Sequence, residues 1–179
     1  MRFKIICFGL FSLSGCASPP PPAPLPPMSR PVPVSVPRAP PAPPAENWLD
    51  RPITQGNWQL GRDALGSFAA FGKPGASADF IVRCMLVTKG IKLSRAGSVP
   101  ESGSRPMTVR AADASKAYNV TNDNPATAYV SVVIPATDPQ LDAIAFSRGR
   151  FFVSLDGTSD LVIPDWPEFA RVIEDCRGR

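Results

Sequence analysis

The sequence predicts a mainly β fold, an antiparallel β-sandwich or partly open barrel carrying two short α-helices, the second at the C-terminus. Three observations predict it. Short stretches rich in β-branched and aromatic residues recur between turn signals from Glu46 onward, as strands do. Only two stretches combine helical periodicity with helix-start residues. Proline is concentrated at one end, with 14 of the 23 prolines between Pro19 and Pro44. That concentration divides the chain into a leader, a tether and a body of 134 residues. A body of this length buries roughly two-thirds of its unfolded surface around one core. The expected organisation is a signal peptide over 1–15, a tether over 16–45 and a single globular domain over 46–179.

The leader opens with Arg2 and Lys4, continues through the apolar run "IICFGLFSLSG" and reaches small residues before Cys16. This is the layout of a secretory signal, and the run is too short to cross a bilayer as a helix. Leu13-Ser14-Gly15-Cys16 resembles the lipobox of bacterial lipoproteins, in which the peptide is cut before the cysteine and the cysteine is acylated. The resemblance implies lipid on Cys16, with Ala17 in the next position favouring the inner leaflet of the outer membrane, facing the periplasm. The alternative is an ordinary cut near Ala17. Beyond it, Pro19 to Pro44 lacks the N–H groups and backbone freedom that helices and sheets need, so polyproline II is expected. At about 3.1 Å per residue such a spacer reaches on the order of 80 Å.

In the body, strands are expected at Trp58–Leu60, Ser67–Phe71, Phe80–Val87, Ile91–Arg95, Met107–Ala112, Ala128–Ile134, Phe151–Leu155 and Leu161–Ile163. Lys89-Gly90 and "DGTSD" from Asp156 read as hairpin turns. In "TDPQLDAIAFSRG", Asp138 is a good N-cap, Pro139 fits the first turn, and Leu141, Ile144 and Ala145 form one stripe that stops at Gly149. In "DWPEFARVIEDCR", Asp165 followed three residues later by Glu168 reads as a capping-box start. Trp166, Phe169, Ala170, Ile173 and Cys176 would then share one face. With Cys7 in the leader and Cys16 taking lipid, Cys84 and Cys176 remain in the body, and in an exported chain the simplest outcome is one disulfide. The alternative is a pair of free buried thiols acting as small apolar residues.

Charge and residue types exclude several chemistries. Four of the 19 Lys and Arg lie in the leader and tether, leaving 15 against 15 Asp and Glu, so the body is neutral and has no basic run for nucleic acid. The chain has no His, which removes Ser-His-Asp and Cys-His catalysis and His-based zinc sites. No phosphate-loop or nucleophile-elbow pattern occurs, and no cofactor or metal is expected. The carboxylates Asp156, Asp160 and Asp165, with Asp138 and Asp142, sit at turns and caps, which explains them without catalysis. "DGTSD" lacks the rest of a calcium loop. In "FSRGRFF", Arg148 and Arg150 flank Gly149, either as a contact for an anion or partner or as a solvated pair favoured by a helix C-terminus. Trp48 and Trp58 either cover the core edge or stack on a sugar.

The phrases "LDAIAFSRGRF" and "LVIPDWPEFARVIEDCR" resemble uncharacterised exported lipoproteins of alphaproteobacteria, over most of Trp48 to Arg177. That resemblance brings no activity with it. An all-β body with one cysteine in a strand and another at its end is more distantly similar to the invasion-associated locus B family, whose usual cysteine pattern is not reproduced here. The expected function is a lipid-anchored, non-catalytic binding or structural module, attached to the membrane and directed at an envelope protein or peptidoglycan. The alternatives are a carboxylate-based wall hydrolase and an inhibitor of lysozyme-like enzymes.

Overall fold

Along Phe80–Met85 buried and half-buried side chains alternate strictly, with Phe80, Val82 and Cys84 turned to the core. That period of two is what a strand with one covered face requires. The computed structural model describes residues 47–100, 103–124 and 126–178. The expected signal peptide, Cys16 and the tether lie outside the described residues. After a 3-10 turn at Trp48–Asp50 come β1 (Asn57–Asp63), β2 (Gly66–Gly72), β3 (Phe80–Met85), β4 (Gly90–Ala96), β5 (Arg105–Arg110), β6 (Ser115–Asn124) and β7 (Thr127–Pro135). Helix α1 (Pro139–Ala145) follows, then β8 (Arg150–Leu155), β9 (Leu161–Pro164) and the C-terminal helix α2 (Pro167–Arg177). The fold is mainly antiparallel β with two helices, as expected.

The strands make one open sheet in the order β1-β2-β3-β4-β7-β6-β5-β8-β9. Both hairpins stand where the turn residues place them, β3 with β4 and β8 with β9. Lys89 holds φ at 53° in the first turn and Gly157 takes φ at 84° in the second. β6 was not expected from the sequence, because among "SKAYNVTNDN" only Tyr118 and Val120 turn inward. It joins the two halves: Ser115–Val120 pairs with β5, and Thr121–Asn124 passes to β7 through a bulged register.

The sheet curls enough for Phe80 of β3 to meet Phe151 of β8, ring centroids 5.8 Å apart. Trp58, Phe71 and Phe169 complete this aromatic centre, Trp58 lying 5.5 Å from Phe71 and 6.2 Å from Phe169. Each such side chain contributes roughly 1.5–3 kcal/mol when fully buried. Trp58 is therefore a core residue, with its Nε1 donating to the Pro164 carbonyl at 2.8 Å.

Both helices cap differently from one another. Asp138 accepts from the Gln140 N–H and starts α1 as expected, but the helix ends before Phe146, and Gly149 (φ 81°) serves the turn into β8. The start of α2 departs from expectation. Its N-cap is Trp166, with no side-chain cap bond. Asp165 is drawn instead to the loop ahead of β8, where its N–H donates to the Gly149 carbonyl at 3.4 Å. The buried stripe of α2 is Phe169, Val172, Ile173 and Cys176, while Trp166 is 44% exposed. A stripe at i, i+3, i+4 and i+7 lays the helix over β2 and β3.

Candidate functional site

The C-terminal helix is locked at its last turn. Cys84 of β3 and Cys176 of α2 form a disulfide, Cα atoms 5.2 Å apart, both side chains buried. Strand alternation turns Cys84 inward, and the α2 stripe turns Cys176 to meet it.

Beside this bridge opens a groove of about 630 Å³ lined by Lys89, Pro135, Ala136, Thr137, Asp142 and Arg177, with Cys176 in its wall. Its parts come from the β3–β4 turn, the chain after β7, α1 and the end of α2. Arg177 fixes one side, donating from Nη1 to Asp142 at 2.6 Å and from Nε to the Ala136 carbonyl at 2.8 Å. Lys89 is exposed at the rim. A recess lined by two cations, one carboxylate and a hydroxyl suits a short polar or charged segment. None of these residues carries a motif. Lys89 was legible only as a turn residue, Asp142 as a helix-start carboxylate and Cys176 as a disulfide partner, and the lining comes from three separate stretches, at 89, 135–142 and 176–177.

Arg148 and Arg150 are used separately. Arg150 Nη1 donates to the carbonyls of Leu49 at 3.3 Å and Arg51 at 3.1 Å, pinning the 3-10 turn to β8. Arg148 is exposed, 3.9 Å from the equally exposed Asp113. The pinned turn stacks Trp48 on Phe152, centroids 5.8 Å apart, and Phe152 also lies under the guanidiniums of Arg51 and Arg110. Trp48 thus covers an outer flank of the domain and is half-buried there.

Three of the five carboxylates have separate cationic partners, while at Asp156 it is the backbone carbonyl that accepts, from Arg105 Nη1 at 3.2 Å. Asp160 pairs with Arg51 at 2.6 Å, Asp142 with Arg177, and Asp138 with Lys116 at 2.6 Å. Burial pushes the Asp165 carboxyl up, opposed by backbone N–H groups. At Asp138 burial acts upward too, but the Lys116 ammonium and the Gln140 N–H outweigh it and hold the carboxyl below the usual range. Tyr118 lies against this pair, with Lys116 Nζ 5.1 Å from its ring centroid. Burial and the Asp138 charge push its phenol up. This cluster docks α1 on β6. Elsewhere in the sheet the buried Arg95 donates to the carbonyls of Asp79, Ala96 and Ser159 at 2.9–3.0 Å, tying the "DGTSD" turn to β4. Among the described residues no group of three or more Cys, Asp or Glu is arranged to hold a metal ion.

In comparisons with known proteins, no family model, no curated protein and no solved structure matches this chain. Its class is defined by its own geometry, an open, curled antiparallel sheet closed on one face by a disulfide-locked C-terminal helix.

Proposed function

We propose that this chain is a lipid-anchored cell-envelope protein whose domain acts as a non-catalytic binding or structural module. Cys16 carries the lipid, the proline tether leads away from the bilayer, and the domain faces the periplasm from the inner leaflet of the outer membrane. The observation that carries this reading is Leu13-Ser14-Gly15-Cys16 standing directly between an apolar leader and a proline run. Two acyl chains or more hold a protein stably at a bilayer. The Cys84–Cys176 bridge supports the same address, since disulfides persist in oxidising compartments.

The groove between Lys89 and Arg177 is the surface best suited to the partner, an envelope protein or a peptidoglycan stem, because its mixed charge matches polar and ionised peptide groups. A photo-crosslinking amino acid at Thr137 in the full-length protein in cells tests this. Discrete adducts with an envelope protein or wall fragment are expected from Thr137. None is expected from Lys73, which is exposed on the β2–β3 loop at the opposite end of β3. The same adducts from both positions, or from neither, would count against the groove.

A further inference from the structure

The two edges of the open sheet are treated differently. At β9, Val162 donates its N–H to Thr54 Oγ1 at 3.0 Å, accepts from the Thr54 N–H at 2.9 Å, and the Pro164 carbonyl takes the Trp58 indole. That edge is four residues long and covered. β1 runs for seven residues in unbroken register with β2. It has no proline, no lysine and no bulge, three of the devices that keep an edge strand from pairing, and its two charges, Arg62 and Asp63, stand together at one end, Arg62 paired with Asp175 at 2.7 Å.

Geometry identifies which groups the β1 edge presents. Asp63 faces Gly66 across the two-residue turn Ala64-Leu65, so Asp63, Gly61, Gln59 and Asn57 exchange hydrogen bonds with β2. Trp58, Leu60 and Arg62 then aim their N–H and C=O groups away from the sheet. Among the described residues no hydrogen bond reaches those outward groups. Leu60 is 46% exposed beside them.

We propose that β1 is an isologous pairing edge, at which a second copy of this chain adds antiparallel with the two-fold axis at Leu60. The strand is complementary to itself in that register. Leu60 faces its counterpart, Trp58 faces Arg62 of the second copy, Gln59 faces Gly61, and Asn57 faces Asp63. All seven residues are used, the outward-facing positions meet one another, and no like charges are opposed. Moving the axis to Arg62 would shorten the ladder and set two guanidiniums face to face. The self-complementary register selects a second copy over an unrelated extended segment.

Cysteine trapping and sedimentation of the full chain test the pairing. Leu60→Cys should give a covalent dimer on mild oxidation, above the level of the unsubstituted chain, because the paired Cα atoms would lie about 5.5 Å apart. Arg62→Cys should not, since its counterpart would lie about 14 Å along the strand, beyond disulfide reach. In analytical ultracentrifugation the unsubstituted chain should dimerise with concentration. Leu60→Lys should weaken the dimer up to about tenfold by opposing two ammonium groups, with the thermal midpoint at concentrations low enough to keep the chain monomeric unchanged. A chain that stays monomeric throughout the concentration series overturns the proposal. So does equal trapping of both cysteine variants, or a dimer indifferent to Leu60→Lys. Should Leu60→Cys fail to fold, the sedimentation pair decides alone.

Discussion

Asp138 joins three interactions, of which the sequence showed only the first: it caps α1, pairs with Lys116 and charges the environment of Tyr118. Asp138→Ala should therefore lower the unfolding free energy by about 1–3 kcal/mol, measured by urea denaturation at neutral pH. The acid dependence has a defined sign. A carboxyl held below its unfolded value contributes stability that is full above the ordinary aspartate pKa of about 3.9 and is lost as pH falls through the folded value. Asp138→Asn keeps the cap and should flatten that acid limb. Tyr118 works at the other end. Its raised phenol leaves its contribution full below about pH 10 and lost as pH rises further, so Tyr118→Phe should flatten the alkaline limb. Arg150→Ala should release the carbonyls of Leu49 and Arg51, costing about 1–2 kcal/mol and speeding amide exchange over 47–54.

Among the elements, α2 depends most on a single covalent contact. Closing 92 residues of chain, the Cys84–Cys176 bridge should contribute about 4–5 kcal/mol in the chain-entropy model. Replacing both cysteines by alanine should lower the urea midpoint accordingly, whereas reductant should leave that variant unaffected. The strands with dense β-branched and aromatic residues were legible in the sequence because their inward positions alternate, as at Phe80, Val82 and Cys84. β6 was not, since its inward residues are two among ten and its place is set by neighbours on both sides. The start of α2 was misread for a related reason. Asp165 has the right side chain for a cap, but tertiary contact with Gly149 claims it, and the inward stripe shifts to include Val172. The disulfide was legible from cysteine count and compartment alone, while the groove was not, because Lys89, Asp142 and Arg177 meet only after the β3–β4 turn, α1 and α2 are packed.

For the whole molecule, a neutral domain carries its own aromatic core, and the proposed address lies in the sequence ahead of it. Attachment should be separable from folding. Cys16→Ser should move the protein from the membrane fraction to the soluble envelope fraction while leaving the thermal midpoint of the domain unchanged. The most direct test of the central claim is intact and peptide mass spectrometry of the N-terminus of the protein isolated from membranes. A chain beginning at Cys16 is expected, its thiol carrying a diacylglyceryl group and its amine acylated. A chain beginning at Ala17 or beyond, or one beginning at Met1 with an unmodified Cys16, would contradict it.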